Sequence, residues 1–433
     1  LLNKGLLQIS TRQYTSLQKN SLVGEIGDEM NIIGSFLSLS RSLDFSHQGL
    51  MRHHRRTALI AAKLGLAAGL DTDELLQLMQ AVLIHDIGVI SWQEKLQLLH
   101  LEVECPWEHC LRGEKLIREN RSLNHLAGII ATHHDRWSGN NPSGLKGAHI
   151  PLHSRIIHLA DRLDIMIADE GNILDQKEFI MRTLHRLKGH FFDPDLVDLL
   201  NDLAKHDSFW FDLASPWEAY LLETIAPVSR IPMQLEYLAD IARLFARVVD
   251  AKSTFTYRHS RGVAWLARFI GEQVGLSFAE AQQLEIAGLL HDLGKLSVPT
   301  EILEKPGPLS SSEFNAIKQH PYYTYWLLKP LTQTFPLAEW AAYHHERSDG
   351  SGYPFGKCSA ELEIQSRIVI VADIFTALHE DRPYRPGMSW DHISAELNKM
   401  VQERELDNHL VTSLLDNRSL VDQAWDSLTE AER

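Results

Sequence analysis

Apolar residues recur every three to four positions over 53–68 and 73–85, and again over 259–274 and 279–290, with Ala, Leu, Gln and Glu between them. That period predicts four amphipathic helices in two pairs. Asp71 and Ser277 stand just ahead of the second run of each pair, where N-caps belong. Gly88 and Gly294 follow soon after, as helix-ending residues would. RIVIVADIF (367–375) reads as a buried strand by propensity alone. Proline-rich stretches at 299–308 and 351–354, with RPYRPG at 382–387, read as loops. Pro216, Pro227 and Pro232 interrupt the pattern and predict a linker near 205–232. The tail, 401–433, is polar and acidic and reads as helical, with no chemistry assigned to it.

The length of 433 residues allows two or three domains. With 44% hydrophobic and 23% charged residues the chain is globular, not disordered. A formal charge of −15 disfavours a partner such as a nucleic-acid polymer, which needs a basic surface, but leaves room for a small phosphorylated ligand held by local cations. Three cysteines (Cys105, Cys110, Cys358) are too few for a disulfide framework. With no bilayer-length apolar run and no signal-peptide pattern, the expectation is a cytoplasmic protein without a membrane partner.

The 23 histidines change the picture. His53, His85-Asp86, His109, His133-His134 and Asp161 are followed by His259, His291-Asp292, His320, His344-His345 and Asp373 in the same order. The steps are 32, 24, 24 and 28 residues in the first series and 32, 29, 24 and 29 in the second. AVLIHDIG matches AGLLHDLG, RIIHLAD matches RIVIVAD, and Gly69-Leu70 matches Gly275-Leu276. These are two copies of one domain of about 200 residues, divided here into 1–215 and 216–433.

Histidine and carboxylate side chains suit first-row divalent ions. His259, His291, Asp292, His320, His344, His345 and Asp373 are too many for one ion and suit two that share a bridging carboxylate, for which Asp292 is the natural choice. Two such ions can hold a hydroxide and clamp both oxygens of an in-line phosphoryl displacement. His134-Asp135 and His206-Asp207 are decoys: in the first pair only the histidine fits the series, and the second reads as surface.

HDLGK (291–295), HHERSDGSGYP (344–354) and VADIFTAL…RPYR (371–385) resemble the HD-GYP family of HD metal-dependent phosphohydrolases, over roughly 245–390. The resemblance implies an all-α fold of two tandem HD-type domains, and with the repeat it makes RIVIVADIF a helix. It implies a hydrolase that opens a cyclic dinucleotide to its linear form. His259, His291, Asp292 and Asp373 would hold one metal, and Asp292, His320, His344 and His345 the other, as Fe, Mn or a similar divalent ion. Lys295 would sit by the scissile phosphate, making Asp292 and Lys295 the catalytic pair. Gly352, Tyr353 and Pro354 would shape the substrate loop, and Arg382 and Arg385 would grip the second phosphate. Phe255 stands where some members carry a glutamate for a third metal, so two ions are expected. Thr324 replaces a common glycine, read as a packing variation.

The first copy keeps every ligand type but has Val89 at the lysine position, HHDRWSGNNPSG (133–144) in place of the HHE…GYP loop, and no RPYR. A valine side chain can donate neither a hydrogen bond nor a proton, so this half reads as a degenerate HD domain, which leaves two readings open: its series His53, His85, Asp86, His109, His133, His134 and Asp161 still binds metal, or the half is only a scaffold or regulatory partner. A degenerate HD copy before an HD-GYP copy is similar to Vibrio phosphodiesterases that cleave 3′,3′-cyclic GMP-AMP; cyclic di-GMP is the usual family substrate. A non-catalytic nucleotide-sensing scaffold and an HD phosphohydrolase of other nucleotides are the alternatives, and a homodimer or a signalling-protein partner is compatible with either.

Overall fold

The computed structural model describes residues 29–45, 52–89, 92–98, 100–101, 106–226, 230–232, 234–252, 259–332, 335–381 and 386–430. Arg382 and Arg385 lie outside these residues, as does Phe255. Helices dominate. Strand occurs among the described residues only where Glu29–Asn31 pairs antiparallel with Arg230–Pro232.

The two copies have matching helix orders. In the first they are Ile32–Asp44, His53–Ala67, Thr72–Leu83, Trp107–Arg118, Ala127–Ala131 and Leu152–Ile165. In the second they are Leu235–Lys252, His259–Gln273, Phe278–Leu290, His320–Leu328, Leu337–Ala342 and Ile364–His379. Asp71 and Ser277 both close full capping boxes, with Glu74 and Glu280 reaching back to the cap N–H.

Gly88 and Gly294 do a different job from the one their position suggests. Neither has a positive φ. A Cβ at Gly294 would lie 1.9 Å from the carbonyl oxygen of His320, and one at Gly88 would lie 2.0 Å from that of His109. Each glycine lets the His-Asp turn press onto the backbone of the helix that supplies the third histidine.

RIVIVADIF lies in the helix Ile364–His379. Its Ile368, Val369, Ile370 and Val371 are all buried, so no polar face is left to reveal the helical period. The expected linker is also more structured than its prolines suggest. Helices Asp207–Ala214 and Glu218–Ile225 fill much of it, and Phe209, Trp210, Leu213 and Leu222 are buried. The second of these helices packs on His53–Ala67, and Arg52 pairs with Glu218 at 3.2 Å. The tail forms helices Asn408–Asp416 and Arg418–Glu430, and Trp425 closes over Gly262, where a Cβ would meet its ring at 2.7 Å.

The opening helix of each half also reaches into the other half. Ile32–Asp44 packs on His320–Leu328 and on the 3-10 turn Leu293–Ser297, while Leu235–Lys252 packs on Trp107–Arg118. The Ser38 hydroxyl donates to the Leu327 carbonyl, and Asn120 Nδ2 donates to the Asp240 carbonyl at 2.7 Å. One continuous apolar core therefore runs through both halves.

Candidate metal centre

Helix ends bring the second series together. His259 begins one helix, His291 caps another, His320 starts a third, His344-His345 follow Leu337–Ala342, and Asp373 lies inside Ile364–His379. Asp292 sits at the centre. Its Oδ2 lies 3.2 Å from His291 Nε2 and 3.9 Å from His259 Nε2. Its Oδ1 lies 3.3 Å from His320 Nε2 and 3.7 Å from His344 Nε2. Asp373 faces His259 Nε2 at 3.1 Å, His291 Nε2 at 3.8 Å and His345 Nδ1 at 3.7 Å. One carboxylate thus shows a separate oxygen to each group of histidines.

The remaining ring nitrogens are pinned. Nδ1 of His291, His320 and His344 each donates to the carbonyl three residues earlier, Gly288, Ile317 and Ala341, at 2.7, 2.7 and 2.8 Å. That leaves Nε2 as a bare lone pair aimed inward. His291 Nε2 and Asp292 Oδ1 are buried without any hydrogen-bond partner, and His320 Nε2 and His344 Nε2 are only 3.0 Å apart. Buried acceptors facing acceptors are costly unless a cation lies between them. The residues present therefore fit divalent metal.

The electrostatics agree. Burial pushes the imidazoles of His320, His344 and His345 down, the last to about 3, so they stay neutral and ready to ligate. Burial alone would raise the Asp292 and Asp373 carboxyls, but their neighbours hold them well below the usual range: His291 and Lys295 for Asp292, His259 and His291 for Asp373. Burial alone would lower His259, yet its contacts with Asp373 and Glu380 push it up to about 10.

Lys295 lies on the turn after the pair, half-buried, with Nζ 2.5 Å from Asp292 Oδ2. Tyr353 lies against the His345 ring at 4.9 Å and its N–H donates to the His345 carbonyl at 3.2 Å. Gly352 passes so close to the backbone that a Cβ would sit 2.4 Å from Glu346 Cα. Pro354 follows through a cis peptide bond and is exposed.

Sequence reasoning missed several residues. Fully buried Glu346 accepts from the N–H groups of Phe355 and Lys357, both at 2.8 Å, and so clamps the loop that carries Tyr353. Thr324 is a brace: its hydroxyl donates to the His291 carbonyl at 3.0 Å and accepts from Gly294 N–H at 2.9 Å. Glu380 orients His259, with Oε2 3.2 Å from Nδ1. In the first half Asp164 does this for His53 at 2.7 Å. The two acids stand seven and three residues past the equivalent aspartates Asp373 and Asp161, so the repeat could not reveal them.

The first series also converges. Asp86 Oδ1 lies 3.5 Å from His85 Nε2 and 3.4 Å from His109 Nε2, and Asp161 lies 3.6 Å from His53 and 3.8 Å from His134. Val89 N–H donates to the Asp86 carbonyl at 2.9 Å, as Lys295 N–H does to Asp292 at 2.8 Å. The turn is the same and only the cation is gone. Neither Asp135 nor the His206-Asp207 pair joins the cluster: Asp135 accepts from Ser143, and His206 and Asp207 are exposed, with Asp207 paired to Lys177 at 3.2 Å.

An all-helical duplicate with a histidine–aspartate cluster in each copy is a tandem HD domain protein. The HD domain family model matches residues 38–196 and 243–410, and the chain belongs to that family, in its HD-GYP branch. It is 31% identical over 401 residues to 3′3′-cGAMP-specific phosphodiesterase 1 of Vibrio cholerae serotype O1, covering 90% of this chain and 92% of the relative. It is 37% identical over 180 residues to the cyclic di-GMP phosphodiesterase response regulator RpfG of Xanthomonas campestris pv. campestris, covering 41% of this chain and 47% of that one. The crystal structure of the cyclic GMP-AMP phosphodiesterase V-cGAP3 of V. cholerae superposes with a TM-score of 0.64 at 28% identity, over 90% of this chain and 98% of that one. No helix among the described residues is long and apolar enough to cross a membrane.

Proposed function

We propose that the second half, from 216 onward, is a metal-dependent phosphodiesterase that opens a cyclic dinucleotide, 3′,3′-cyclic GMP-AMP first and cyclic di-GMP second. The observation that carries this is the Asp292 carboxylate, with one oxygen toward His259 and His291 and the other toward His320 and His344. The likeness to the V. cholerae enzyme over 90% of the chain favours the mixed dinucleotide. Cyclic di-GMP relatives match shorter stretches.

His259, His291, Asp292 and Asp373 would hold one Fe or Mn ion, and Asp292, His320, His344 and His345 the other. When bound, such a pair polarises a phosphate and makes water nucleophilic at neutral pH. The chain does the rest. Water adds to phosphorus, the P–O3′ bond breaks, and a proton must end on the 3′ oxygen. Lys295, held at 2.5 Å from Asp292, is placed to neutralise charge on the phosphate and to supply that proton. Burial pushes the Tyr353 phenol up, so it stays neutral and offers a flat face to a base. Arg382 and Arg385, outside the described residues, are assigned the second phosphate by their motif. The first half, to residue 215, lacks these groups and serves as a non-hydrolytic scaffold for the second.

Incubating Mn- or Fe-loaded protein separately with 3′,3′-cyclic GMP-AMP and cyclic di-GMP, then resolving the products, tests the reading. Linear dinucleotide from the first, faster than from the second, is expected. Failure to hydrolyse either by a metal-replete sample refutes it.

A further inference from the structure

The first half contains one ligand that has no counterpart in the second. Cys110 follows His109, where Pro321 follows His320. Its Sγ is fully buried, 3.6 Å from His109 Nε2 and 3.8 Å from His133 Nε2, and those two nitrogens are 3.1 Å apart. Zinc–nitrogen and zinc–sulfur bonds of about 2.05 and 2.3 Å in a tetrahedron put nitrogen and sulfur about 3.6 Å apart and two nitrogens about 3.3 Å apart. The observed triangle is already close to one face of such a tetrahedron. His134 completes a set whose ligand atoms all lie within 4.8 Å of one another.

A second observation points to a ligand. His134 Nε2 is buried without a hydrogen-bond partner. His133 Nδ1 donates to the Ile130 carbonyl at 2.7 Å, which turns its Nε2 lone pair inward, toward His109 and Cys110. The Cys110 thiol points its hydrogen to the Pro106 carbonyl at 3.5 Å, and a cation among these rings would give the buried His134 acceptor the partner it lacks.

Asp161, which lies 3.6 Å from His53 Nε2 and 3.8 Å from His134 Nε2, is already neutralised. Arg162, itself buried, contacts Asp161 Oδ2 through Nε at 3.0 Å and Nη2 at 2.7 Å. In the second half Ile374 stands at the position after the aspartate. That ion pair occupies Asp161, a carboxylate that a second ion beside His53 would need, so one ion held by the cysteine set is favoured over a bridged pair.

We propose that the first half holds a single borderline-soft transition metal, of the Zn2+ or Fe2+ class, through His109 Nε2, Cys110 Sγ, His133 Nε2 and His134 Nε2. All four side chains are buried to within 2% of full cover, so the centre is closed. It leaves no open position for water or substrate, and its role is structural. Asp86 Oδ1, 3.4 Å from His109 Nε2, neutralises charge beside it. This site is independent of the hydrolytic reading of the second half.

The test uses the full chain. Cobalt-substituted wild-type protein should show a near-ultraviolet thiolate-to-cobalt charge-transfer band. Cys110→Ala should lose it and Cys358→Ala should keep it. Zinc-edge X-ray absorption of the wild-type protein, which needs no variant to fold, should show a sulfur scatterer at about 2.3 Å. A metal-replete wild-type protein with no charge-transfer band and no sulfur scatterer overturns the proposal. So does a band that survives in Cys110→Ala.

Discussion

Gly294→Ala makes a demanding test because the structure sets its size. The added Cβ would lie 1.9 Å from the His320 carbonyl oxygen, 2.8 Å from its carbonyl carbon and 2.9 Å from Thr324 N. All three are backbone atoms, so no rotamer can relieve the clash. Backbone must give by about 1 Å, in an interior packed at crystal density. The overpacking costs about 1–3 kcal/mol. The displaced segment begins at His320, whose Nε2 must stay near Asp292 Oδ1, now 3.3 Å away. A misplacement of that order costs about 10²-fold in turnover. Gly88→Ala delivers the same insult in the first half, 2.0 Å from the His109 carbonyl oxygen. Both variants should lower the melting temperature, but only Gly294→Ala should shed metal from the second half and lose kcat. Metal analysis, thermal unfolding and product formation are measured together. A Gly294→Ala protein with full metal content and wild-type kcat would refute the idea that this contact sets the position of His320.

Lys295→Ala should cut turnover by about 10²- to 10⁴-fold with metal still bound; loss of metal would show that Lys295 supports the ligands instead. Glu380→Gln weakens the acceptor on His259 Nδ1 and should lower metal affinity by about 10- to 100-fold, read by competition with a chelating dye; unchanged affinity would remove Glu380 from the centre. The metal-free protein should be most stable near pH 6.5. Burial holds His54 and His109 at about 4 and His158 and His345 at about 3, so their contribution is full above the unfolded value of about 6.5 and is lost as pH falls toward 4. Hydrogen bonds that outweigh burial raise His53 and His259 to about 10, so their contribution is full below 6.5 and is lost as pH rises toward 10. A melting temperature that does not change from pH 4 to 10 would contradict this.

The ordered histidines and aspartates, read as a series, made the duplication legible without coordinates, and the apolar period together with the family resemblance made the helical class so. Capped helices of regular period are local facts, so Asp71 and Ser277 could be placed from neighbouring residues alone. Local signals failed where burial erased the period, as in Ile364–His379, and where a residue answered to a distant partner. Gly294 looked like a helix end because His320, which crowds it, is 26 residues away. Thr324 looked like a packing variation because its two hydrogen bonds reach back to residues 291 and 294.

By itself, then, the sequence determined which atoms could bind metal, because ligand chemistry belongs to residue types and survives in their order. Tertiary structure decided how those atoms divide. It turned the two oxygens of Asp292 to opposite groups of histidines, placed Glu380 and Asp164 behind equivalent rings from inequivalent positions, and set Cys110 against His109 and His133. Distances between side chains on different helices depend on how the helices pack, and no spacing along the chain encodes that.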